Sequence, residues 1–189
     1  MWRMAVRPCI VGGTALTLVV ALVTSAAAGS VGDGMLGKQD VGLAQAKVPH
    51  EATLLRSSQA APGSCEEPES REYQGRLVSF GTSTSSLNEY VLDFASPSEA
   101  GAVFAAFQAD DQATVGCGQS AASLKKTPKG VGSRRYTLAE KVTVNGQKVT
   151  TTSICVVKSA HLVLLVFVGW PGSKPTPASI AKKAVKLLS

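Results

Sequence analysis

Hydrophobic positions fall into three kinds of run along this chain. Residues 10–23 are almost continuously apolar, four later segments alternate apolar with polar residues, and two segments repeat apolar residues every three to four positions. Alternation predicts strands and the three-to-four repeat predicts helices, because side chains switch faces with period 2.0 in a strand and 3.6 in a helix. The alternating segments are Arg76–Phe80, Glu89–Phe94, Arg135–Val144 and Lys148–Val157, with Gly81–Ser86 as a turn and Asn145-Gly146 suited to a type I′ hairpin. His161–Val168 is nearly all apolar and rich in Val and Leu, as expected of a strand buried near the centre of a sheet.

The first helix is expected to open at Ser96-Pro97-Ser98-Glu99. Ser96 can cap it, Pro97 suits its first position, Glu99 completes a capping box, and Ala100, Val103, Phe104 and Phe107 form a stripe that ends near Asp111. The second should open at Thr176-Pro177, with Ile180, Ala184, Leu187 and Leu188 facing inward and Lys182, Lys183 and Lys186 outward. Hairpin links between the strands argue for an α+β domain: a mainly antiparallel sheet of about five strands covered by two main helices.

The N-terminal run changes the picture of where this domain works. Arg3 and Arg7 precede it, no acidic residue occurs before Asp33, and Thr24–Ala28 are small, which is the layout of a secretory signal peptide cleaved after Ala28. A run of about 14 residues is short for a permanent span of roughly 30 Å of hydrocarbon, so no stable membrane span is expected after cleavage. Residues 29–49 lack periodicity and read as a flexible spacer, and residues 50–189 as a single sensor-like domain, its first residues His50–Arg56 a short helix or extended entry.

Removal of residues 1–28 leaves 17 basic and 13 acidic residues, a formal charge of +4. That is compatible with anionic envelope polymers as partners, while an exported chain without interleaved basic and aromatic residues is not expected to bind nucleic acid. Lys125, Lys126, Lys129, Arg134 and Arg135 gather around a Gly/Pro loop and form the one plausible anion patch.

Of four cysteines, Cys9 lies in the leader, leaving Cys65, Cys117 and Cys155. An oxidising compartment favours one bridge. A Cys117–Cys155 bridge would pin the first helix to the sheet and close a loop of about 38 residues, for roughly 4 kcal/mol in the chain-entropy model. Cys65–Cys117 is the alternative, and a reduced chain is a third.

No catalytic group is identified. The two histidines, His50 and His161, are far apart, no Gly-x-Ser-x-Gly or Cys-x-x-Cys occurs, and neither a metal-ligand cluster nor a nucleotide fingerprint is found, so no cofactor is expected. Trp170, in a Gly-Trp-Pro-Gly turn, is the candidate for an aromatic ligand contact, with Arg134 and Arg135 as polar ones.

Tyr90–Phe104 (YVLDFASPSEAGAVF), Cys117, Ile154–Val166 (ICVVKSAHLVLLV) and the closing Lys-rich helix resemble the PknH-like extracellular sensor domains and their stand-alone exported relatives in actinobacteria. The resemblance implies an antiparallel sheet with flanking helices, a cleft, stabilising disulfides, and binding of an extracellular ligand without catalysis. Gly169-Trp170-Pro171 stands where such domains carry a further cysteine. A secreted hydrolase with an unidentified nucleophile and a structural protein on anionic polymers are the competing expectations.

Overall fold

The computed structural model describes residues 34–58, 69–116, 122–125, 131–144, 147–170 and 175–188. Its elements run α1 (Lys38–Val41), β1 (Gln45–Ser58), β2 (Glu69–Gly81), β3 (Ser86–Asp93), α2 (Pro97–Gly116), β4 (Ser123–Lys125), β5 (Arg134–Val144), β6 (Gln147–Lys158), β7 (His161–Val168) and α3 (Pro177–Leu187). The seven strands form one antiparallel sheet in the order β1-β2-β3-β7-β6-β5-β4. Two meanders, β1–β3 and β4–β7, therefore meet along β3 and β7, and α2 links them.

This corrects the expectation of about five strands and two main helices. The elements not anticipated are α1 and β4, and where His50–Arg56 was expected to be a short helix or extended entry it is part of the long strand β1. β1 carries Ala, Lys, Pro, His and Glu among its first residues, a composition poor in strand formers, and it holds its place by pairing with β2 from Gln45↔Phe80 to Ser58↔Glu69. β4 is three residues long and pairs only with β5. The segment read as a spacer belongs to the fold from residue 34 on, since Met35, Leu36 and Val41 are buried in the core. Their spacing is too irregular to show periodicity.

β3, β5, β6 and β7 lie close to their expected positions, β2 begins at Glu69 instead of Arg76, and β7 is the middle strand of the seven. α2 begins as expected: the Glu99 N–H donates to Ser96 Oγ at 3.2 Å, and the Glu99 carboxylate accepts from the Ala95 N–H at 3.1 Å. It runs on past Asp111 to Gly116. α3 is capped by Thr176, whose hydroxyl accepts from the Ser179 N–H. Ile180, Ala181, Ala184, Val185 and Leu188 are buried, while Leu187 is exposed instead of facing inward.

Two cores result, one on each face of the sheet. α1 and α3 cover Val78, Phe80, Leu87, Val91, Ile154, Val163 and Phe167. α2 covers Leu77, Tyr90, Leu92, Cys155, Leu162 and Leu164 with Phe104 and Phe107. No helix among the described residues is long and apolar enough to cross a membrane.

Candidate functional site

Antiparallel pairing places directly opposed residues on the same face, so the register shows which side chains share the α2 face. One row across five strands is Leu77, Tyr90, Leu164, Cys155 and Tyr136, with His50 continuing it on β1. The next row is Ser79, Asn88, Val166, Ser153 and Leu138, and the one after it ends on Thr151 and Glu140. The face thus passes from apolar side chains under α2 to hydroxyl and amide groups beyond it, and Ser79, Asn88 and Ser153 are only half-buried.

The wall of this face is built by the β1–β2 arm, which extends past the end of β3 and meets α2. Tyr73 packs edge-on against Phe107 at 5.0 Å between centroids, and the Arg56 guanidinium lies 4.2 Å from the centre of the same ring. Arg56 also donates to the Asp111 carboxylate and to the Phe107 carbonyl oxygen at 3.3 Å. On the other side of α2, Phe104 packs edge-on against Tyr136 at 5.4 Å.

Several polar atoms on this face are buried without a hydrogen-bond partner: His50 Nε2, Arg56 Nε, Tyr90 Oη, Asp111 Oδ2 and Tyr136 Oη. Tyr136 and Asp111 are nonetheless near enough for a long hydrogen bond that shifts the titration of both, and Tyr136 also reaches the Cys155 thiol. A buried polar group without a partner costs about 1–3 kcal/mol, so the polar positions on this face are held at some cost to stability. Burial also governs their chemistry. It raises the Asp111 carboxyl against the pull of Arg56, raises Glu140 with help from Asp111, pushes Tyr90 up to about 12 and raises Tyr136 further.

The residues singled out from sequence are not brought together. Arg134 and Arg135 are neighbours on β5 and point to opposite faces: Arg134 donates to the Gly101 carbonyl on α2 at 3.3 Å, Arg135 to the Gly132 carbonyl at 3.3 Å. Strand alternation thus separates the two arginines of the anion patch, and of its lysines Lys126 and Lys129 lie outside the described residues. Trp170 donates from Nε1 to the Pro175 carbonyl at 3.0 Å and packs edge-on against Phe167 at 5.1 Å, so its ring closes the α3 core rather than standing free.

Cys155 is a free thiol, completely buried, and its sulfur is pushed up to about 12 by burial. Cys117 and Cys65, the partners considered for a bridge, lie outside the described residues. His161 Nδ1 meets Asp93 at 2.6 Å. Among the described residues no group of His, Cys, Asp and Glu is placed to hold a metal ion.

Sequence reasoning missed the candidate site because its members come from β1, β2, β3, β5, β6 and α2, and none carries a local motif. The available signal was polar residues at inward positions of alternating strands, Ser153 in β6 above all.

No family model matches the chain, and no curated protein matches it. Among solved structures it is similar to the extracellular domain of PknH from Mycobacterium tuberculosis, at 14% identity over 82% of this chain and 93% of that one, with a TM-score of 0.48.

Proposed function

We propose that this is an exported, non-enzymatic binding domain whose ligand is uncharged and rich in hydroxyl or amide groups, seated on the α2 face beside Ser79, Asn88 and Ser153. The observation that carries the reading is the half-buried polar row of Ser79, Asn88 and Ser153, which continues the α2 face beyond the helix. Charge supports the ligand class. Arg56 and Asp111 neutralise each other, and Ser79, Asn88 and Ser153 offer neutral donors and acceptors. A thiol pushed up to about 12 is the reverse of an activated nucleophile, which supports binding over hydrolysis. Export rests on the N-terminal leader pattern.

The test uses the protein from residue 29 onward, titrated by calorimetry with neutral oligosaccharides and with uncharged peptidoglycan fragments. Saturable binding that changes less than about twofold between 0.05 and 0.5 M salt, and weakens at least about tenfold in Asn88→Ala/Ser153→Ala while the melting temperature holds, is expected. Binding only to anionic polymers and abolished by salt would replace the proposal with a structural envelope role. Covalent labelling of the native but not the denatured protein by serine- or cysteine-directed probes would replace it with a hydrolase.

A further inference from the structure

Among the described residues, the opposite face of the sheet holds one fully buried charged residue in an apolar setting. Glu89, on β3, sits in a row with Val78, Leu165 and Ile154 and is completely buried. Its Oε2 accepts the Leu36 N–H at 2.8 Å across 53 positions of sequence, and its Oε1 has no partner. Leu36 belongs to a short segment, Met35–Val41, that lies over the core between the sheet and α3. Met35, Leu36 and Val41 are buried there, and Gly34 approaches α3 so closely that a Cβ on it would come within 3.2 Å of the Leu187 carbonyl oxygen. Outside the core the segment is tied only lightly. Asp40 accepts the Gly37 N–H at 2.9 Å and faces Lys183 of α3 at 3.5 Å, an exposed ion pair of little strength.

We propose that residues 34–41 are a separable strap, latched to the core by the Glu89 carboxyl, and that ionisation of this carboxyl loosens the latch. The geometry explains the direction. When the strap is seated, Glu89 is completely buried, and the Leu36 N–H, which favours the charged form, offsets only part of the lost hydration; when the strap lifts, the carboxyl meets solvent, where its charged form is favoured. Of the charged groups around it, Arg76 on β2 favours the ionised form and Asp40 on α1 the protonated one. From the other elements packed here, Lys183 of α3 is engaged with Asp40, Lys158 of β6 donates to the Val185 carbonyl, and Asp93 at the exposed strand end pairs with both His161 and Arg76. Burial outweighs them and places the carboxyl at about 7.

The sign follows. A carboxyl at about 7 when seated and near its ordinary 4.5 when released holds the strap down at acid pH, and the latch weakens as pH rises through 7. The difference allows the closed-to-open ratio to fall by up to about 300-fold.

The test is amide NMR on the protein from residue 29 onward between pH 5.5 and 8.5. The protection factor of the Leu36 amide, corrected for the intrinsic pH dependence of exchange, should fall by at least about tenfold while amides of β3 and β7 keep theirs. In Glu89→Gln the protection should be independent of pH. Since that substitution lies in the core, titration of the 13C-labelled Glu89 carboxyl in the unaltered protein gives a second readout, with a midpoint expected near 7. A midpoint below about 5, a constant Leu36 protection factor, or a change that persists in Glu89→Gln would each overturn the proposal.

Discussion

Arg56 on β1 and Asp111 on α2 meet across 55 positions of sequence, and their side chains are 15% and 11% exposed. The pair fastens the β1–β2 arm to the helix, and its aromatic neighbours Phe107 and Tyr73 complete the joint. A partly buried ion pair is costly to break from one side, because the surviving charge is left in a poorly solvated place.

Asp111→Ala is therefore expected to lower the unfolding free energy by about 3 kcal/mol, measured by urea denaturation. The double replacement Arg56→Met/Asp111→Leu removes both charges and should cost markedly less than the single one. A single variant costing less than about 0.5 kcal/mol would show that the joint does not depend on the pair.

Cys155 should resist alkylation. With its thiol buried and pushed up to about 12, iodoacetamide at pH 8 is expected to leave it unmodified in the native protein and to label it after denaturation. Peptide mapping without reductant reads the result, and recovery of Cys155 in a disulfide would contradict the structure.

Gly132 has φ +62°, and a Cβ on it would lie 2.1 Å from Val156 Cγ1 and 2.7 Å from the Val157 carbonyl oxygen. Gly132→Ala combines a strained backbone with a collision against a buried strand, so a loss of about 2–4 kcal/mol is expected in thermal or chemical denaturation. A neutral result would mean that the turn before β5 repacks freely.

Global stability should decline with rising pH. Glu89 sits at about 7 in the folded protein against 4.5 ordinarily, so its contribution is fully present below 4.5 and is lost as pH rises through 7, up to about 3 kcal/mol in all. Asp111 and Glu140 are also raised by burial and add slope of the same sign. The informative quantity is the difference between the unaltered protein and Glu89→Gln, whose unfolding free energy should have a shallower pH dependence by that amount. Equal slopes would remove Glu89 from the account.

Much of the sheet was legible because its strands alternate or run apolar for long enough to exceed chance. Tyr90, Leu92 and the whole of His161–Val168 announced buried strands, and Ser96 with Glu99 marked where α2 begins. β1 was not legible, since a strand of Lys, Pro, His and Glu is stabilised by its partner β2 and not by its own preferences. The strap was hidden for a related reason: Met35 and Leu36 are buried by what folds over them, and two apolar residues beside a glycine have no periodicity to read.

The sequence by itself determined the strands of the sheet's centre and where both long helices begin, because each is set by interactions within a few residues. It also placed Arg134 and Arg135 side by side and Trp170 in a turn, and there the local view misled: strand alternation sends the two arginines to opposite faces, and Phe167 with the Pro175 carbonyl takes up the indole. Only the tertiary structure decided that Arg56 meets Asp111 and that Glu89 meets Leu36. Both contacts span more than fifty positions and are fixed by strand order and by which face each helix covers, which no local pattern encodes.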